Sequence, residues 1–346
     1  MTGKTKSSAK KKLFFLRKRF IAFVIFSLVL VLALALCAGG ICGILLHKYK
    51  IFPYNKLRSA YKNIPKKNVY GPWSIGLYEG SSPFKLSPYS GVKNPILTGK
   101  NCGDAVYVAD PFMINKDNKY FLFFEVMDRA SNEGNIAYAE STDLKNWEYK
   151  KVILDEKFHL SYPNVFKWKG DYYLIPESHQ DLTVRLYKAE SFPDKWKYVK
   201  SLISGYSFVD PAILHYNNKW WLFVTTPFSN ILNVYYADDL MGKWEPHPMN
   251  PVVKFNTHIS RPGGKMIIYK GKPYRFAQDC KPYYGIQLFA FEITELTTTK
   301  YSEKLVSTKP LLTKSGKGWN AAGMHHIDLH KIGNKWIAVT DGRDRK

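Results

Sequence analysis

The feature that most constrains this chain is a phrase written five times. "VADPFMINKDNKYFLFFE" (residues 108–125) and "VDPAILHYNNKWWLFVT" (residues 209–225) both open on Asp-Pro. Each then runs through an apolar stretch to an Asn-Lys turn and an aromatic strand. Aligning on that turn finds five copies, at Asn118-Lys119, Gly170-Asp171, Asn218-Lys219, Gly271-Lys272 and Asn334-Lys335. The paired openings are Asp110-Pro111, Tyr162-Pro163, Asp210-Pro211, Arg261-Pro262 and His326-Ile327, the fourth copy needing a two-residue insertion. After the turns come "YFLFFE", "YYLIPE", "WWLFVT", "PYRFAQD" and "WIAVTD", short β-branched and aromatic runs punctuated by Gly, Asn, Asp and Pro.

No sustained amphipathic helix follows residue 67, so the fold class is all-β. A repeat of this size made of antiparallel strands predicts a five-bladed β-propeller, because radial closure leaves few exposed strand edges. The early strand "WSIGLYEG" at residues 73–80 is expected to complete the last blade and close the ring.

The N-terminal end is of a different kind. Residues 20–46 contain no charged side chain and are long enough, as a helix, to span a bilayer with some tilt. The expected organisation is a basic cytoplasmic head (1–19), a transmembrane signal anchor (20–46), a basic stem (47–71) and the propeller (72–346). The chain would then be a single-pass membrane protein with its propeller on the extracytoplasmic or lumenal side. The formal charge is +23, but residues 1–67 hold fifteen Lys and Arg and no Asp or Glu. The remainder therefore carries only about +8, and with no nucleic-acid-binding motif this excludes a nucleic-acid surface on the propeller. Cys37 and Cys42 fall in the apolar run; whether Cys102 and Cys280 pair is left open by their spacing.

In a propeller the first strand of each blade lines the central axis, so Asp110, Tyr162, Asp210, Arg261 and His326 should share one funnel. The scaffold repeats while these five polar side chains differ, the pattern of a site built on a fold. The second strands end on Glu125, Glu177, Gln278, Asp279 and Asp341, and "MHHIDLH" adds His325, Asp328 and His330. His326, Asp328 and His330 alternate along one strand face, which spreads them too far for a compact cage, so no metal and no cofactor are assigned. Carboxylates, an Arg, imidazoles and aromatic rings in one funnel suit a sugar, with one carboxyl kept protonated and another ionised. On this reading Asp110 is base or nucleophile, Asp210 or Glu177 the proton donor. Tyr162, Arg261, Asp279, His325, His326 and Glu125 hold the substrate.

The motifs "VADPFMI", "LSYPNVF", "WWLFVT", "YYADDLMGKWEPHPMNPV", "SRPGG", "YRFAQDC" and "GMHHID", in this order, resemble one branch of the glycoside hydrolase family 43 type propellers. That branch is the N-terminal domain of plant glucosamine inositolphosphorylceramide transferases and its stand-alone microbial relatives, and the resemblance covers roughly residues 72–342. It implies a five-bladed propeller and, from the hydrolases, a general-base role for Asp110. Two positions depart from the hydrolase pattern: Tyr162 stands where an Asp is usual, and Asp210 where a Glu acts as general acid. In the plant proteins sugar transfer belongs to a separate domain, of which no motif is found here. The expected activity is cleavage or transfer of glycosyl groups on a glycan or glycolipid. The alternative is a non-catalytic glycan-binding or scaffolding propeller that assists a partner glycosyltransferase.

Overall fold

The computed structural model describes residues 70–345, so the apolar segment 20–46, the head and most of the stem lie outside the described residues. Among the described residues no helix is long and apolar enough to cross a membrane.

Five antiparallel sheets follow one another around the ring. The second strands begin at Lys119, Asp171, Lys219, Lys272 and Lys335, the second residue of each turn pair read from the sequence. Blade one comprises Val108–Lys116, Lys119–Met127, Gly134–Ser141 and Glu148–Leu154. Blades two and three repeat this plan from Ser161–Trp168 and Val209–Tyr216. The first strand of blade four is broken into Arg261–Pro262 and Ile267–Tyr269, and the break holds the two inserted residues. Blade five takes its inner strands, Ile327–Ile332 and Lys335–Arg345, from the C-terminal end and its outer strands, Tyr70–Ser82 and Lys85–Pro88, from the other end of the described chain. The strand expected at residues 73–80 therefore does close the ring, starting earlier, inside the expected stem.

Both faces of each blade are buried, which explains why the second strands are apolar at almost every position rather than alternating. Phe121 and Phe123 pack toward blade two, whereas Leu122 and Phe124 pack toward blade five. The same division recurs around the ring, giving one apolar cluster in each of the five gaps between neighbouring blades. Cys102 and Cys280 are free thiols, Cys102 within the cluster that joins blades five and one.

Candidate active site in the funnel

Three of the five openings share an unusual backbone. Asp110, Tyr162 and Asp210 have φ of 54°, 47° and 50°, and each is followed by proline. The register of the inner strand pair shifts at each place, between Ala109 and Phe112, Ser161 and Asn164, and Val209 and Ala212. These are β-bulges, which turn a side chain out of the ladder toward the axis. The left-handed region costs any L-residue, most of all an aromatic one, on the order of 1–3 kcal/mol each. Asp341 and Glu177 supply part of the compensation: they stand on the second strands of blades five and two, Glu177 at the strand end and Asp341 within Lys335–Arg345, and their carboxylates accept the Asp110 and Asp210 backbone N–H at 3.1 and 3.2 Å. Each bond crosses a blade boundary and fixes the bulge of the next blade.

Asp110 is 4 % exposed and its Oδ1 has no hydrogen-bond partner. That atom lies 3.5 Å from His325 Nε2 and 3.6 Å from His326 Nδ1. Burial pushes the Asp110 carboxyl up to about 7, against the pull of His325 and with help from Asp341 and Glu177. Asp341 behaves oppositely. Burial opposes its charge, but His325 and the backbone N–H groups it accepts hold it below the usual range. Its Oδ1 accepts the backbone N–H of His325 and His326 and the His325 ring Nδ1–H at 2.8 Å. With Nδ1 committed, His325 turns Nε2 toward Asp110. Trp73 stacks on the imidazole, centroids 4.0 Å apart, and Tyr284 meets its edge. Gly285 makes room for this stack: its φ is +72°, and a Cβ would lie 2.9 Å from both His325 and Trp73.

Opposite this cluster, Arg261 grips Asp210 with two N–H groups, Nε to Oδ2 at 2.6 Å and Nη2 to Oδ1 at 3.2 Å. Gln278 Nε2 donates to the same Oδ2 at 2.6 Å. Burial drives the Asp210 carboxyl well above the usual range and Arg261 opposes it. Both oxygens face N–H donors from Arg261 and Gln278, and this bidentate grip makes Asp210 the carboxylate of an ion pair, although the Glu177 carboxylate also stands within hydrogen-bond reach of it. Glu177 is ionised as well. Burial works against it, but the His179 imidazole at 2.7 Å and the Arg261 guanidinium hold it below the usual range. Tyr284 lies over Arg261, 4.8 Å from ring centre to guanidinium, and so links the two halves of the funnel.

Several expected roles change with these contacts. Neither Asp210 nor Glu177 is a free carboxylic acid. Glu125 is: burial, then the nearby Asp110 charge, hold it well above the usual range, while the Tyr107 hydroxyl donates to its Oε1 at 3.1 Å. Tyr162 does not open to the funnel. Its ring is buried and its hydroxyl both donates to the Gly264 carbonyl and accepts the Gly264 N–H, each at 2.8 Å. Gly264 belongs to the insertion in blade four, where a Cβ would fall 1.8 Å from the Ile327 carbonyl oxygen. Asp279 also turns away; neighbours on a strand face opposite sides, so Gln278 meets Asp210 while Asp279 bonds His258 and Gln287. His326 is a buried ring against Phe112 and Tyr162, kept neutral by desolvation that lowers it to about 4. Sequence reasoning missed Trp73, Tyr107, His179 and Tyr284 as site residues, because none stands at a repeated position.

Ligand-type atoms of Asp110, His325 and Asp341 lie within 4.8 Å of one another. Asp341 Oδ1 already accepts three N–H donors, which leaves Asp110 Oδ1, His325 Nε2 and one lone pair of Asp341 Oδ2 available to an ion.

The family model described as "Glucosamine inositolphosphorylceramide transferase 1, N-terminal" matches residues 66–343, all five blades included. The chain belongs to this family. It is 34 % identical over 298 residues to glucosamine inositolphosphorylceramide transferase 1 of Oryza sativa subsp. japonica, covering 79 % of this chain and 40 % of the relative. The Arabidopsis thaliana protein of the same name is also 34 % identical, with 39 % of its length covered. The chain thus spans well under half the length of the curated relatives it matches. Solved structures share the fold at low identity. An α-L-arabinofuranosidase of Podospora anserina superposes with a TM-score of 0.55 at 12 % identity, over 80 % of this chain and 98 % of that one. A thermostable family-43 glycoside hydrolase gives 0.51 at 17 %, over 73 % and 92 %.

Proposed function

We propose that this propeller is a carbohydrate-active enzyme that cleaves or transfers glycosyl groups on a glycan or glycolipid, anchored to a membrane by residues 20–46. The observation that carries the reading is the division of proton states in one funnel. Asp110 titrates near neutrality, Glu125 is held as the acid, and Asp341, Glu177 and Asp210 are held as carboxylates. Acid–base cleavage of an acetal needs such a split. Asp110 serves as base or nucleophile and Glu125, in place of Asp210 or Glu177, as proton donor. Arg261, half-buried beside Tyr284, and the Trp73–His325 stack orient the sugar. Glycan-related relatives and glycosidase-like neighbours are consistent with this assignment.

A second reading draws support from the Asp210–Arg261 pair, which occupies the third-blade position with a neutralised carboxylate. On that reading the propeller binds a glycan and presents it to a partner glycosyltransferase. A glycan and glycolipid array followed by product analysis separates the two. The enzyme reading expects turnover by the wild-type chain, lost by orders of magnitude in Asp110→Asn with little change in affinity. Binding without turnover on every retained glycan refutes it. The anchor is tested separately: the chain should stay with membranes through alkaline carbonate, with its propeller protected from protease in sealed vesicles. Release by carbonate or cleavage from the cytoplasmic side counts against that part.

A further inference from the structure

The funnel uses one end of the central axis. The opposite end has its own cavity, of about 480 Å³, lined by Ile114, Asn115, Lys116, Asp117, Lys167, Tyr172, Lys265 and His330. Lys116, Lys167 and His330 stand at or near the far ends of the first strands of blades one, two and five. Asp110 and Lys116 are six residues apart on one strand, so the two mouths are separated by roughly 16–20 Å. Lys265, from blade four, reaches toward blade two and donates to the Val165 carbonyl oxygen at 3.1 Å. Four blades therefore contribute to one basic mouth.

The charges there are poorly compensated. Lys116 and Lys167 both lie over the ring of Tyr172, at 5.9 and 5.5 Å from its centre. The carboxylate nearest Lys116 is Asp117 at 4.0 Å, and that side chain is 86 % exposed. Among the described residues no carboxylate forms an ion pair with Lys167. Asp328, deeper in the axis, offsets part of the Lys265 charge, and its Oδ2 accepts the Met113 N–H and the His330 ring at 2.7 and 2.9 Å, so it leaves Lys116 and Lys167 without a buried counter-charge. Its Oδ1 is buried without a partner. Like charges held together by an aromatic ring and backbone repel one another until a counter-anion joins them. Ammonium groups arriving from three blades match an anion with several acceptor oxygens, and the remaining volume has room for more than the anion itself.

We propose that this far mouth is a binding site for a phosphate-bearing ligand, independent of the chemistry in the funnel. Tyr172 forms its floor, Lys116, Lys167 and Lys265 contact the phosphate, and Asn115 and His330 face the esterified group. The phosphate could belong to a soluble ester or to a lipid headgroup.

The test uses the full chain in neutral detergent, titrated by calorimetry with inorganic phosphate, glucose 6-phosphate and dihexanoyl phosphatidic acid. Saturable binding of at least one probe is expected, weakened tenfold or more in a Lys116→Gln/Lys167→Gln double variant. A Lys243→Gln/Lys304→Gln control removes two exposed ammonium groups on outer parts of the ring and should bind like the parent. Unchanged melting temperatures of both variants separate loss of binding from loss of fold. Preference for glucose 6-phosphate identifies a soluble ester, and preference for phosphatidic acid a headgroup. No saturable binding of any probe, or equal loss in the control, overturns the proposal.

Discussion

Asp110→Asn should stabilise this protein, and the gain should depend on pH. A carboxyl pushed from 3.8 to about 7 by burial binds its proton more tightly in the folded than in the unfolded chain. Between those values the unfolded state holds fewer protons, so stability falls as pH rises through the window and stays reduced above it. Three pH units at about 1.4 kcal/mol each set a ceiling of about 4 kcal/mol above pH 7. Asn carries no charge to desolvate and therefore escapes this penalty. It also tolerates the left-handed backbone at this position nearly as well as Asp, so the bulge survives. The backbone N–H bond to Asp341 does not involve the altered side chain. Thermal melts of parent and variant from pH 4 to 9 provide the assay. For a domain of this size about 2 °C per kcal/mol is expected, giving a gain of up to about 8 °C at pH 8 that vanishes near pH 4. A variant equally or less stable at pH 8, or a gain independent of pH, would refute the argument that Asp110 is held up by burial.

Other perturbations follow from the same contacts. Arg261→Ala strands the Asp210 and Glu177 carboxylates in a buried site and should cost about 3–5 kcal/mol, read by denaturant melts; adding Asp210→Asn should recover part of that loss. Recovery of nothing would mean that the pair does not act as a unit. Tyr162→Phe leaves the Gly264 N–H and carbonyl unpaired, for an expected loss of about 1–3 kcal/mol; a neutral effect in the same melts would show that the contact is dispensable. A fragment of residues 68–346 should give a β-type circular dichroism spectrum and a cooperative melt, whereas residues 89–346 should not, because they lack both outer strands of blade five and the apolar side chains of Ile75 and Leu77. A cooperative melt of the shorter fragment would show that ring closure is not required.

The sequence alone determined the number of blades and the start of each second strand. These follow from turn chemistry and strand periodicity, which act between near neighbours and repeat visibly. The expectation that "WSIGLYEG" completes the last blade also holds, since it pairs with the final strand. The tertiary structure alone decided what the funnel side chains do. Asp110 takes its proton affinity from burial beside Asp341, 231 residues away. Tyr162 is consumed by Gly264 across the ring, 102 residues on, and Asp210 is claimed by Arg261 from the next blade. A strand register one residue long made Gln278 rather than Asp279 the inward side chain. Desolvation and Coulomb coupling depend on which distant groups share a volume of a few ångströms, and that is set by ring closure, not by the order of residues along any one strand.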